Sequence, residues 1–292
     1  MAINDIQLGQ LANTAKEMIG EIRHTTEHNA PNYALVAKFT LQKGHDTMVI
    51  PKVGQMTVMS IASDEENTNE MDLGLTTSSV STAIVGGKII LTDTLLADSA
   101  TNIAPAAGRQ WGNAFARRME TDIIALYAGL NGGTSLGAAG NPFNVENVMN
   151  VIANAKTLKM GSGLHVIHHP NALLRLSKDL TTLGSGNHRP IPVGYSADRL
   201  NDFFSGIVLS GVTFFESGEI TRDTNNDAIG VIKAKDAIGI IQAGEIRHVE
   251  ERDEGIGEGA NVIYVTHRYA AFELDDALGA ALTYAAATPS TT

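Results

Sequence analysis

Apolar positions in the first thirty residues recur at helical spacing. Leu8, Leu11, Ala15, Met18 and Ile22 share one face, while Glu17, Glu21, His24 and His28 lie roughly opposite. That pattern predicts an amphipathic helix, stopped at Asn29-Ala30-Pro31 because proline disfavours helical geometry in the residue before it. The period then changes. Residues 33–61 are rich in β-branched side chains, interrupted at Gly44 and Pro51, and residues 73–91 (LGLTTSSVSTAIVGGKIIL) are again strand-like and almost uncharged. Between them lies DEENTNEMD, with Asp64, Glu65, Glu66, Glu70 and Asp72 and no base. Two strands around an acidic turn predict a long hairpin. Neither arm carries enough large apolar residues for a core, so the hairpin needs another surface to lie on.

The helical period returns most clearly after Thr92. Trp111, Phe115, Met119, Ile123 and Leu126 form one stripe; Arg109, Arg117 and Glu120 fall outside it, and Arg118 is spaced to pair with Asp122. Asn102 and Pro105 mark its start and Gly132-Gly133 its end. About 25 helical residues would run ~37 Å. A second helix is expected at 145–158, then a short strand in GLHVIHHP and a helix started by Pro170. From Asn201 to Gln242 short β-prone runs alternate with Gly and Asn/Asp turns. Residues 245–288 read as strand, acidic glycine turn, strand and final strand.

Composition narrows the function. With 32 acids against 21 bases the formal net charge is −11, which opposes a grip on nucleic-acid phosphates or anionic lipid. No apolar run reaches the ~20 residues that span a bilayer. The absence of cysteine removes disulfides, thiolate catalysis and thiolate metal sites together, and fits a reducing compartment.

Three arrangements imitate chemistry. His24-Thr-Thr-Glu27-His28 has the H-x-x-E-H zinc-peptidase spacing, yet it sits on a helix face with no third ligand and no cleft. Gly255-Ile-Gly257-Glu-Gly259 resembles a dinucleotide fingerprint, but acids precede it and a strand follows it, so a tight β-turn is expected. His165 and His169 would point to one side of a strand and His168 to the other, so they do not converge on a metal; they are expected at the surface, at a strand end or helix start. Nothing selects a catalytic, cofactor or metal site. What stands out is architectural: a one-sided helix, a thin hairpin and a long helix, each needing surfaces that neighbouring copies would supply.

Four stretches carry a family resemblance. VGGKIILTDTLLADSATNIAPAAGRQWGNAFARRMETDIIALYAGLN resembles the run from hairpin arm into spine helix of the HK97-like major capsid proteins of tailed bacteriophages. GLHVIHHPNALLRLSKDL resembles their strand–Pro–helix step, and GVTFFESGEI their Gly-x-Pro-Val strand, with Thr213 where proline is usual. EERDEGIGEGANVIYVTHRYAAFELDDALGAALTY resembles the closing sheet, with Asp276-Ala277 lacking the usual proline between them. The resemblance implies an α+β fold divided into an N-terminal arm with leading strands (1–47), an extended loop (48–82), a peripheral domain with the spine helix (83–160), an axial domain (161–243), and a return to the peripheral domain with the tail (244–292). It implies a non-enzymatic subunit that assembles through hexamers and pentamers into an icosahedral shell around double-stranded DNA. It implies assembly in the host cytoplasm, a place in the virion, and scaffolding, portal and decoration proteins as partners, with no membrane and no cofactor. An encapsulin-type nanocompartment is the alternative on the same fold, and a zinc metallopeptidase through His24, Glu27 and His28 the remote one. The contact expected between copies joins the tip acids Asp64, Glu65, Glu66 and Glu70 to Arg109, Arg117, Arg247 or Arg252 of a neighbour.

Overall fold

The computed structural model describes residues 31–52, 60, 76–94, 103–182, 208–257 and 259–289. The N-terminal helix with His24, Glu27 and His28, and the acidic hairpin tip, lie outside these residues.

In chain order the elements are α1 (Pro31–Ala34), β1 (Ala37–Thr40), β2 (Thr47–Lys52), β3 (Thr76–Ser81), β4 (Ala83–Thr92), α2 (Ile103–Ile124), α3 (Val145–Thr157), β5 (His165–His168), α4 (Pro170–Thr182), β6 (Val208–Leu209), β7 (Val212–Glu216), β8 (Asp227–Lys233), β9 (Ile238–Gln242), β10 (Arg247–Asp253), β11 (Ala260–Glu273) and β12 (Gly279–Ala285). One five-stranded sheet runs β1-β9-β11-β10, with β4 on the opposite edge of β11; a second runs β12-β8-β5-β7-β6. β2 and β3 form a separate antiparallel pair from Thr47↔Ser81 to Lys52↔Thr76. This is the base of the expected hairpin.

The long helix follows its stripe. α2 has 22 residues, about 33 Å at 1.5 Å per residue, and it buries Phe115, Met119 and Ile123 almost completely. Each such side chain contributes ~1.5–3 kcal/mol on leaving water. The stripe lies on the first sheet: Phe115 meets the His267 ring edge-on at 6.3 Å, and Tyr269 donates its hydroxyl to Asp122 at 2.7 Å. Gly87 is where helix and sheet come closest. A Cβ there would lie 2.5 Å from Cη2 of Trp111, so only glycine fits.

α3 buries Val148, Val151 and Ile152 and α4 buries Ala172, Leu173 and Leu176 in the same core cluster as Val166, Ile167 and Ile232 of the second sheet. Asn144 caps α3 by accepting the Asn147 N–H at 2.9 Å, and Asp179 of α4 accepts the Val145 N–H at 2.9 Å. α4 begins at Pro170, as the sequence suggests. The glycine-acid segment after β10 is a turn, with Gly257 and Gly259 at φ +60° and +117°.

Pro31 opens the helical turn α1, which suits the first helical position, where no N–H is needed. The strand pairing departs from the sequence reading. β1 is not a hairpin arm but pairs in parallel with β9, two hundred residues away. β9 joins the sheet of β10 and β11, and β12 pairs with β8 in the other sheet.

Candidate assembly surfaces

The hairpin base is seated on the first sheet by its alternating pattern. Met48, Ile50 and Val80 pack, with Phe39 and Leu274, on the buried cluster Leu41, Ile241 and Phe272. The opposite face stays in water, where Val49 is 59% exposed. Lys52 reaches Asp275 at 2.6 Å. Between the hairpin and the end of β11 lies a cavity of about 190 Å³, lined by Ile50, Thr77, Phe272 and Glu273 among others. Asp276, from the segment that resembles the family's closing element, accepts the Gly132 N–H at 3.0 Å, and Asp275 accepts the Ala277 N–H at 3.2 Å.

The four candidate arginines separate. Arg117 on α2 pairs with Glu219 at 3.1 Å. Arg252 grips Asp93 through two bonds of 2.8 and 2.5 Å and also holds Glu254 at 2.8 Å. These bonds hold the Asp93 carboxyl below its ordinary range and push the guanidinium up. Bidentate geometry of this kind fixes both side chains, so Arg252 serves its own chain first. Arg109 and Arg247 are exposed, on α2 and β10. Arg118 pairs with Asp122 at 3.1 Å, as its spacing suggests.

A buried polar knot joins α1, α2 and the second sheet, and the sequence pattern did not reveal it. Glu120, which lies off the apolar stripe, is only 2% exposed. It accepts the Asn32 side-chain N–H at 2.6 Å, the Asn32 main-chain N–H at 3.2 Å and the Ser217 hydroxyl at 2.8 Å. Tyr127 donates to Asn32 Oδ1 at 2.6 Å. Burial raises the Glu120 pKa, although the Ser217 and Asn32 bonds oppose it. Lys233 on β8, with no exposed surface, donates to the Leu35 carbonyl at 2.6 Å. Burial brings its amine down to about 7, with Glu120 pulling the other way.

The histidines also correct the reading. His165 and His168 are buried, not at the surface, because β5 is the central strand of its sheet and all four of its residues are buried. Burial lowers them to about 4 and about 3. Among the described residues no cluster of three metal-ligating side chains occurs, and no helix is long and apolar enough to cross a membrane.

Two mixed-paired sheets, a long helix across one of them and a two-stranded arm seated at its end define the fold of phage capsid proteins. The capsid of the native GTA particle matches at a TM-score of 0.65 with 13% identity, over 88% of this chain and 91% of that one. The capsid of Ralstonia phage GP4 matches at 0.64 with 10% identity, over 88% and 89%. The mature capsid of bacteriophage PhiM1 matches at 0.62 with 14% identity, over 87% and 86%. No protein-family model and no curated protein matches the sequence. The resemblance read from the four stretches therefore agrees with the observed fold.

Proposed function

We propose that this chain is the shell subunit of a phage capsid, assembling through hexamers and pentamers into a closed icosahedral container for double-stranded DNA. The observation that carries this reading is the near whole-chain match to solved capsids at TM-scores of 0.62–0.65. The net charge of −11 supports a wall that encloses DNA without gripping it. Head-to-tail contacts whose rotation closes give rings, and rings joined edge to edge give a shell.

In this reading the acids Asp64, Glu65, Glu66 and Glu70 meet cations of a neighbouring copy. Arg247, exposed on β10, is the favoured partner, because Arg117 and Arg252 are engaged within their own chain; Arg109, exposed on α2, stays a candidate. Each exposed pair contributes only ~0–1 kcal/mol, so the effect comes from repetition around the shell. The subunit would occupy the virion, with scaffolding, portal and decoration proteins as companions.

Expression of the chain alone, followed by gradient sedimentation and negative-stain microscopy, tests the proposal. Closed particles of uniform diameter are expected. A monomer under all salt conditions, or particles that package a protein cargo in place of DNA during infection, would refute it.

A further inference from the structure

β4 is a ten-residue strand that pairs with β11 along one edge only; among the described residues no strand pairs with the other. The direction of its main-chain groups follows from two bonds. Asp93 donates its N–H to the Gly259 carbonyl, its register partner across β4 and β11. Ala243 donates to the Arg268 carbonyl on the far side of β11. In an antiparallel ladder the bonded positions alternate. Odd-numbered residues of β4 therefore bond to β11, and the N–H and C=O groups of Ile84, Gly86, Lys88 and Ile90 point outward along the unpaired edge.

Soluble proteins guard such edges with prolines, bulges, several charges or short length. This strand contains no proline and only Lys88 as a charge. Ile84 and Ile90 are 70% and 40% exposed beside it, and Val249 on β10 is 41% exposed on the same face. The register places Arg268 beside Ile84 and Arg247 beside Thr266. This face thus gathers Lys88, Arg247 and Arg268 against Glu251 and Asp253, a surplus of base on a chain whose net charge is −11.

We infer that the outward edge of β4 is a docking edge for a strand of a second copy of this chain, which extends the five-stranded sheet by main-chain hydrogen bonding. The inference rests on the shell reading above. Charge selects the partner: the cationic face suits another copy of an acidic chain. Two β4 strands paired about their centre would set Lys88 against Lys88, which favours a different segment as the incoming strand and a contact that runs head to tail.

Lys88→Pro tests the edge. Proline is tolerated on an edge strand when its missing N–H faces outward, so the variant should keep the circular dichroism and tryptophan emission of the wild type. Its particle yield should fall at least tenfold. Lys88→Gln, which removes the charge and keeps the N–H, should assemble normally. In wild-type particles the Gly86 and Lys88 amides should exchange hydrogen at least tenfold more slowly than in dissociated subunits; this reading stands even if Lys88→Pro misfolds. Normal yield from folded Lys88→Pro, failure of both variants, or unchanged exchange at these amides would overturn the edge. Absence of wild-type particles would overturn the shell reading and the edge together.

Discussion

His168 supplies a quantitative test of how the second sheet is held. It ends β5, stacks on Phe143 at a ring separation of 4.9 Å, and lies over Gly230, where a Cβ would stand 2.3 Å from the ring. Its Nδ1 accepts the His169 N–H at 2.9 Å, and among the described residues its Nε2 has no hydrogen-bond partner. Burial lowers its pKa from 6.5 to about 3, against a weaker pull from the Leu282 carbonyl. The unfolded chain therefore binds a proton between these two values that the folded chain refuses. The stability from this group is fully present above pH 6.5 and is lost as pH falls toward 3. One group changes stability by ~1.4 kcal/mol per pH unit, and the full shift corresponds to at most about 5 kcal/mol. His165, lowered to about 4, adds the same slope over a shorter range.

His168→Asn isolates the effect. Asn Oδ1 stands where Nδ1 stands and still accepts the His169 N–H, while the ring lost from beside Phe143 costs ~1–3 kcal/mol at every pH. Urea unfolding of dissociated subunits, followed through the single tryptophan, Trp111, would be measured from pH 4.5 to 7.5. Carboxylates titrate alike in both proteins, so the difference in slope belongs to His168. Wild type should lose stability more steeply on acidification by ~1.4 kcal/mol per pH unit. Parallel curves would refute the assignment of a buried, neutral imidazole.

Lys233 gives the opposite pH window. Its folded pKa of about 7 lies below the unfolded 10.5, so stability should rise as pH climbs from 7 toward 10; Lys233→Met should flatten that rise in thermal melts. Gly87→Ala would drive a methyl group into Trp111 and should cost ~1–3 kcal/mol, read as a lower melting temperature with altered Trp111 emission. Glu65→Lys with Glu66→Lys should leave the circular dichroism of the subunit intact and reduce shell yield; normal particles would remove the tip contact. Because like-charged subunits repel over a Debye length of ~8 Å at physiological ionic strength, light scattering should show fuller assembly in moderate salt than in very low salt.

Elements whose partners are local or one-sided were readable from sequence. The stripe Trp111, Phe115, Met119, Ile123 dictates α2, Pro170 starts α4, and the glycines after Asp253 make the turn between β10 and β11. The parallel pairing of β1 with β9 was not readable, since no local period specifies a partner two hundred residues away. Glu120 and Lys233 were hidden for a related reason. A charged side chain off the apolar stripe reads as solvated, and only the arrival of Asn32, Ser217 and the Leu35 carbonyl from distant segments makes its burial affordable. His168 misleads similarly: alternation gives its direction, but β5 is covered on both faces. For the candidate contact residues, sequence marks the charges, whereas geometry shows Arg117 and Arg252 already paired within the chain.

β12 follows every other strand of its sheet in sequence and completes a sheet whose other strands end at Lys233. During synthesis, β8 therefore waits with one flank unsatisfied until residues 279–285 leave the ribosome, and β1 likewise waits for β9. Folding of this kind depends on contacts far apart in sequence and is slow. A partly made chain thus holds both sheets incomplete until strands far along the sequence have been made.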